Sequence, residues 1–264
     1  MILLIGGLGN DFFYFQYILR GITKTEPIRF YEFNNSSHHI HLQNWILQHL
    51  DPPERSEQSH TVTIIAYSMS CPVVVETLNT ICADPFSYVL HLVEPPNIGE
   101  CPYAPENTSY HPFKKEKTYQ SKSNDFDMVF RYPNWIWNLL SIQPIRYIVL
   151  NLIDVFTPIK QKTPYCVDDT IIKMGQHSVK HMIEQYTFPY SPFMYAKKIK
   201  NIVNVYSGSE SKYHAYAQLL CATSPLFKLH VVRDANHHFL HFPSKSKSSC
   251  HLDPRLATVL SAKT

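Results

Sequence analysis

The chain has 264 residues, of which 44% are hydrophobic and 17% are charged, and its formal net charge is +3. This length and balance are typical of a globular protein with one sizeable core. The small net charge, with the 24 lysines and arginines dispersed along the chain, argues against nucleic-acid binding, and six cysteines without a CxxC pair argue against a structural zinc site.

Strand-like and helix-like segments alternate over the first third of the chain. Short apolar runs bounded by glycine, proline or polar residues predict strands, and apolar residues at helical spacing predict helices. The predicted strands are residues 2–5, 27–33, 62–66 and 87–93, and the predicted helices are residues 12–22, 41–50 and 70–81. This alternation predicts a parallel sheet with right-handed crossovers.

The stretch that begins at Thr61 is the most informative one in this part of the chain. Its Val- and Ile-rich run predicts a strand buried on both faces, and Pro72 suits the first turn of the helix that follows. Ser68 lies between the strand and the helix, and its neighbours Ala66 and Ser70 are small enough for a tight turn. Ser68 is therefore a candidate nucleophile, although a serine at this place can also cap the following helix.

The pattern changes after residue 96. Helices are predicted at 132–140, 144–156 and 167–186, with no strand alternation between them, and the strand pattern returns at 199–206 and 227–232. A helix is predicted between these strands at 213–221, and a short one begins at residue 253. The expected organisation is an α/β core formed by residues 1–96 and 196–264, with a mainly helical cap insertion at 97–195.

Groups that support acyl transfer follow several of the predicted strands. The glycine loop around Leu8 follows the first strand, Glu210 follows a late strand, and His237 and His238 follow the last one. The carboxyl ends of parallel strands meet at one edge of an open α/β sheet, where such folds place their sites. We therefore expect these groups to lie near Ser68.

The chemistry of acyl transfer needs these residue types. A hydroxyl is a weak nucleophile until a neighbouring imidazole takes its proton, and the imidazole needs an acceptor on its other nitrogen. The tetrahedral oxyanion needs preorganised donors, for which the backbone N–H groups of Leu8 and Met69 are the candidates.

Four motifs resemble the α/β-hydrolase fold family, and they occur in that family's order. They are Ile-Gly-Gly-Leu-Gly-Asn at 5–10, Ala-Tyr-Ser-Met-Ser at 66–70, Tyr-Ser-Gly-Ser-Glu at 206–210 and Ala-Asn-His-His-Phe-Leu-His-Phe at 235–242. In the family these places hold the oxyanion loop, the nucleophile elbow, the acid and the histidine, and the insertion lies where members carry a cap. Ala66 and Ser70 stand where the family usually has glycines, so the elbow is degenerate.

The resemblance implies a Ser-His-acid triad with Ser68 as the nucleophile. The family's His-Phe-Leu-His ending selects His238 as the base, and His237 remains an alternative because it follows an asparagine. Glu210 is the expected acid, since it follows a strand-end glycine. Glu94, at the end of the strand after the elbow helix, is the alternative acid.

The implied function is a serine hydrolase that cleaves an ester or thioester of an apolar acyl or aromatic acid, as carboxylesterases, lipases and thioesterases do. The alternative is a non-catalytic α/β-hydrolase-like protein that binds a small ligand or a partner. No metal or organic cofactor is implied. A cytoplasmic location is expected, because the sequence shows neither a secretory signal nor an apolar stretch long enough to span a membrane.

Overall fold

The structure is a computed structural model that describes residues 1–10, 15, 27–32, 39–50, 61–80, 88–96, 133–156, 163, 165–185, 201–211, 213–238, 240–241 and 251–252. The helix predicted at 12–22, apart from Phe15, and the helix predicted from residue 253 lie outside these residues. The strands and helices within them follow the predicted order.

A six-stranded sheet forms the centre of the fold. Its strands are β1 (Ile2–Ile5), β2 (Ile28–Tyr31), β3 (Val62–Tyr67), β4 (Tyr88–Val93), β5 (Val203–Gly208) and β6 (Phe227–Val232). They pair in the order β2-β1-β3-β4-β5-β6, and every pairing is parallel, which confirms the predicted class of sheet. Two further strands, β7 (Leu240–His241) and β8 (His251–Leu252), form a separate antiparallel pair.

Helices pack on both faces of the sheet. They are α1 (His39–Leu50), α2 (Ser70–Thr80), α3 (Asn134–Ser141), α4 (Gln143–Phe156), α5 (Tyr165–Met174), α6 (Gln176–Gln185) and α7 (His214–Thr223). Ile46 of α1, Val74 of α2 and Ala217 of α7 belong to the larger buried cluster, on one face. Val167 of α5 belongs to the cluster on the opposite face, together with Phe15. The strand order reverses between β1 and β3, and such switch points are where open α/β sheets place their sites.

Helices α3–α6 lie between β4 and β5, within the segment predicted as a helical insertion. Trp137, Leu140 and Val179 contribute to a small buried cluster that these helices form among themselves. The prediction of a single helix at 167–186 is wrong in its continuity, because the structure has two helices there. They are separated by Gly175, whose φ of 82° ends the first helix in the left-handed conformation that glycine adopts without strain.

The outer surface of α3 and α4 is strongly apolar. Trp135, Ile148 and Phe156 are exposed over 65%, 58% and 83% of their surface. Over the part of the chain that the structure describes, no single helix has the length and apolar character to cross a membrane. Within those described residues, the helical segments Asn134–Ser141 and Gln143–Ile153 reach that length and composition as a pair, with a bend of 109° between them.

A buried histidine on β4 forms a polar contact within the sheet. His91 is 4% exposed, and its Nδ1 lies 2.8 Å from the hydroxyl of Tyr206 on the neighbouring strand β5. Burial, with a smaller contribution from the nearby His230, lowers the pKa of His91 from 6.5 to about 4. Burial and the charge of Lys228 also lower the pKa of His230. His91 is therefore neutral in the folded protein over the neutral and weakly acidic range.

We expect His91 to make the fold sensitive to acid. The unfolded chain takes up a proton at this residue below about pH 6.5, whereas the folded chain resists protonation down to about pH 4, so acid favours unfolding. The free energy of unfolding should fall by about 2 kcal/mol between about pH 7.5 and pH 5 on account of this residue. Urea unfolding at both pH values should show that His91→Gln lacks this part of the wild-type pH dependence. Equal pH dependence in the two proteins would contradict the expectation.

Candidate active site

Ser68 occupies a strained turn between β3 and α2. Its φ of 51° lies in the left-handed region, which is uncommon for a residue other than glycine and is typical of a nucleophile elbow. The backbone N–H of Ser68 donates to the carbonyl of Val93, 2.8 Å away at the end of β4. The turn is therefore held by the neighbouring strand, and Ser68 is presented at the carboxyl edge of the sheet.

The degenerate elbow is stabilised by the side chain of Ser70. Ser70 is fully buried, and its Oγ accepts a hydrogen bond of 2.8 Å from the backbone N–H of Tyr67. The same hydroxyl lies 2.9 Å from the carbonyl of Tyr67 and 3.1 Å from the carbonyl of Ile5, and its single proton serves one of them at a time. A serine thus links the elbow to β1 at a position where a glycine is usual.

His237 makes the hydrogen bond to the candidate nucleophile. Its Nε2 lies 3.0 Å from the Oγ of Ser68. The hydroxyl of Tyr67 donates to the backbone carbonyl of His237 at 2.8 Å, and the ring of Tyr213 packs edge-on against the imidazole at a centroid distance of 4.7 Å. These contacts hold the ring at hydrogen-bonding distance from the serine.

Glu94 lies on the other side of the same imidazole. Its side chain is fully buried, and its Oε2 is 3.3 Å from the Nδ1 of His237. The carboxylate also accepts hydrogen bonds from the backbone N–H of Gly208 and from the hydroxyl of Ser211. A buried carboxylate is stabilised by such donors, so Glu94 is held as an acceptor for the imidazole.

The loop that carries His237 crosses the end of β5 at Gly208. A Cβ at Gly208 would lie 2.2 Å from the carbonyl oxygen of Ala235, so only glycine permits this approach. The backbone N–H of Glu210 donates to the same carbonyl at 3.0 Å. The close crossing brings His237 over Glu94, and it explains the glycine in the Tyr-Ser-Gly-Ser-Glu motif.

His238 and Glu210, the base and the acid expected from the sequence, occupy other positions than the residues of this hydrogen-bonded chain. The backbone N–H of His238 donates to the Oδ1 of Asn236, and its ring packs edge-on against that of His237 at 4.9 Å. Glu210 lies in the turn after β5, where its backbone binds Ala235. The contacts to the imidazole and the serine come instead from the residues named as alternatives, Glu94 and His237.

Two parts of this arrangement, the donor Ser211 and the conformation of Glu94, have only weak signals in the sequence. Ser211 directly follows the motif that ends at Glu210, and it is Ser211 that reaches the carboxylate of Glu94. Glu94 itself has a φ of 54°, and it directly follows β4 in front of two prolines. A positive φ at a residue other than glycine is often found at functional sites. The local sequence marks Glu94 as a strand end and does not encode this conformation in a recognisable way.

The glycine loop packs directly against the elbow. A Cβ at Gly7 would lie 2.8 Å from the carbonyl oxygen of Tyr67 and 3.0 Å from the Cβ of Ser68. Leu8 and Met69, the two candidate oxyanion donors, line the same pocket as Ser68. The absence of a side chain at Gly7 therefore allows the loop to approach the nucleophile.

The pocket above Ser68 lies between the sheet edge and helix α5. Leu8 and Met69 line it on the side of the sheet, and Val167 and Ile171 line it on the side of α5. Its cavity measures about 80 Å³. Among the described residues, no group of three or more His, Cys, Asp or Glu side chains is placed to hold a metal ion.

Comparison with solved structures identifies the fold. No protein-family model and no curated protein matches the sequence. A hydrolase from Oleispira antarctica superposes with a TM-score of 0.59 at 12% identity, covering 99% of this chain and 91% of that one. A structure from a study of carboxylesterases of the thaumarchaeon Nitrososphaera gargenis superposes with a TM-score of 0.55 at 12% identity, covering 90% of this chain and 83% of that one.

A third structure carries the name of the fold. The peroxisomal alpha-beta-hydrolase of Saccharomyces cerevisiae superposes with a TM-score of 0.55 at 11% identity, covering 98% of this chain and 73% of that one. The strand order, the elbow and these superpositions together show that the chain has the α/β-hydrolase fold. Identities this low establish the fold alone, and function has to be argued from the site.

Proposed function

We propose that the protein is a serine hydrolase that cleaves an ester or thioester of a small apolar acyl group. The observation that carries the proposal is the continuous chain of contacts from Ser68 Oγ to His237 Nε2, at 3.0 Å, and from His237 Nδ1 to Glu94 Oε2, at 3.3 Å. Nucleophile, base and orienting acid stand in the relation that a catalytic triad requires. The similarity to structures described as hydrolases and carboxylesterases supports the same class.

Acylation begins with the proton of Ser68. As Oγ attacks the carbonyl carbon of the substrate, its proton passes to Nε2 of His237, and Glu94 stabilises the imidazolium through Nδ1. The negative charge that develops on the carbonyl oxygen is met by the backbone N–H groups of Leu8 and Met69. When the bond to the leaving oxygen or sulfur breaks, Nε2 returns the proton to the leaving group.

Deacylation repeats these steps with water as the nucleophile. His237 takes a proton from the water, the water oxygen attacks the acyl carbon, and the bond to Ser68 Oγ breaks as the proton returns to that oxygen. The free acid is released, and Ser68 regains its hydroxyl. The same imidazole thus acts as base and then as acid in each half of the reaction.

The pocket favours a short apolar acyl group. Leu8, Met69, Val167 and Ile171 provide apolar surface from both walls. The cavity of about 80 Å³ is roughly half the volume of an engineered protein cavity of about 150 Å³ that admits benzene. Acetyl and propionyl esters are therefore better candidates than long-chain ones.

A fluorophosphonate probe tests the assignment, because it forms a covalent bond only with an activated serine. We expect the probe to label the wild-type protein and to leave Ser68→Ala unlabelled, while Ser141→Ala, a change at an exposed serine of the cap, retains full labelling. Labelling is read by in-gel fluorescence, with melting curves confirming that each variant is folded. Labelling that survives in Ser68→Ala would reject Ser68 as the nucleophile, and a folded wild type that is not labelled would favour the non-catalytic ligand-binding alternative.

A further inference from the structure

Asn10 ends the glycine loop, and the nitrogen of its buried side-chain amide makes no hydrogen bond to the residues that the structure describes. The side chain of Asn10 is 3% exposed. Burying a hydrogen-bonding group without a partner destabilises a folded protein, and buried polar groups are nearly always paired. An unpaired amide beside a reactive serine therefore calls for a functional explanation.

The loop geometry places this amide beside the nucleophile. A Cβ built on Gly7 would lie 2.7 Å from the Oδ1 of Asn10 and 3.0 Å from the Cβ of Ser68, so both side chains pack against the same glycine. The backbone N–H of Asn10 donates to the carbonyl of Gly7 at 3.1 Å, which closes the turn and fixes the position of the side chain. Asn10 also lines the pocket together with Leu8 and Ser68.

The chemistry of the amide suits an oxyanion. An uncharged N–H donor can stabilise negative charge that develops on an oxygen without neutralising the nucleophile or its base. Asn10 belongs to the same loop as Leu8, whose backbone N–H is a candidate oxyanion donor. Asn10 follows β1 and His237 follows β6, so the amide and the imidazole approach Ser68 from two different loops.

We propose that Asn10 is a catalytic residue whose Nδ2 donates a hydrogen bond to the carbonyl oxygen of the substrate as that oxygen becomes negative. This proposal rests on the proposed hydrolase function and adds a third donor to the backbone groups of Leu8 and Met69. The unpaired amide gains its partner when the carbonyl oxygen enters the pocket. Its hydrogen bond strengthens as charge develops, so it contributes to kcat more than to KM.

Asn10→Ala and Asn10→Asp test the proposal on p-nitrophenyl acetate, with Asn138→Ala, a change at an exposed cap asparagine, as the matched control. Loss of one oxyanion donor lowers kcat by about 10²–10³-fold, so we expect this loss in both variants with KM within about threefold of wild type. A trifluoromethyl ketone, which adds to the serine and forms a tetrahedral oxyanion, should bind about 10²-fold more weakly to both. The control should match wild type in all three quantities.

The melting temperature separates this role from a structural one. Because Nδ2 has no hydrogen bond to lose among the described residues, Asn10→Ala should melt at or near the wild-type temperature while its kcat falls. If alanine prevents folding, Asn10→Asp, which keeps the shape of the side chain, decides by the same measurements. Values of kcat within threefold of wild type, or a loss of kcat that follows the loss of folded protein in both variants, would overturn the proposal.

The same experiment distinguishes the proposal from the function on which it rests. Wild-type turnover that is lost in Ser68→Ala and kept in both Asn10 variants would leave the hydrolase assignment intact and reject only the role of Asn10. Wild-type protein that is folded but neither turns over the ester nor binds the ketone would reject both.

Discussion

Replacing His237 by alanine should lower kcat/KM for a short p-nitrophenyl ester by about 10⁴–10⁶-fold, which is the range for removal of a triad histidine. The imidazole of His237 is the group within hydrogen-bonding distance of Ser68 Oγ, and it contacts Glu94 through its other nitrogen. Without it the serine hydroxyl has no base to take its proton. Initial rates with the purified variant, measured at saturating and at low substrate, check this expectation.

The neighbouring histidine provides the matched control. His238→Ala should retain kcat/KM within about fivefold of wild type, because the structure places the ring of His238 against that of His237 and the hydrogen bond to Ser68 on His237. Both variants remove an imidazole of the same size from the same loop. A large loss of kcat/KM in His238→Ala with little loss in His237→Ala would identify His238 as the base. The hydrogen bond between His237 and Ser68 would then not be the one used in catalysis.

Replacing Glu94 by glutamine should lower kcat by about 10⁴-fold, the loss seen when a triad carboxylate becomes an amide. The amide no longer stabilises the imidazolium, and it favours the wrong tautomer of His237. The hydrogen bonds that the charged carboxylate accepts from Gly208 N–H and Ser211 Oγ–H would also be replaced by weaker ones to a neutral amide. We therefore expect a further loss of about 1–3 kcal/mol in the free energy of unfolding.

Glu210→Gln is the control for Glu94→Gln, because it makes the same chemical change in the turn after β5. Its kcat should stay within about threefold of wild type, and its urea unfolding midpoint should remain close to that of wild type. Ester hydrolysis and urea unfolding on the same preparations separate the catalytic effect from the effect on stability. A Glu94→Gln protein with nearly full kcat would exclude the carboxylate from catalysis.

The sheet was accessible from the sequence because its strands carry their information locally. The strand β5 is buried along its whole length and β3 is buried except at the half-buried Thr63, as apolar runs predict for the interior of a parallel sheet. Elements that depend on a single conformation were less accessible. Gly175 divides a continuous amphipathic pattern into two helices, and the two-residue strands β7 and β8 are too short to produce a pattern.

The sequence predicted which loops form the site, but it did not select the residue within each loop that makes the contacts. Strand ends identified Ser68, two adjacent histidines and two candidate acids, because the carboxyl ends of parallel strands converge. The choice between His237 and His238 depends on how one loop turns, and here the side chain of Asn236 accepts from the backbone of His238. The choice of Glu94 depends on a positive φ and on donors supplied by a turn more than a hundred residues later in the chain.

The position of Glu94 bears on how the protein is made. A chain that is synthesised from its N-terminus completes the glycine loop, Ser68 and Glu94 well before His237, because His237 follows the last strand of the six-stranded sheet. Glu94 gains its donors Gly208 and Ser211 when β5 pairs with β4, and His237 reaches Ser68 and Glu94 later still. Under the proposed mechanism, incomplete chains on the ribosome would carry the serine without the base that activates it, and hydrolytic activity would appear at the end of folding.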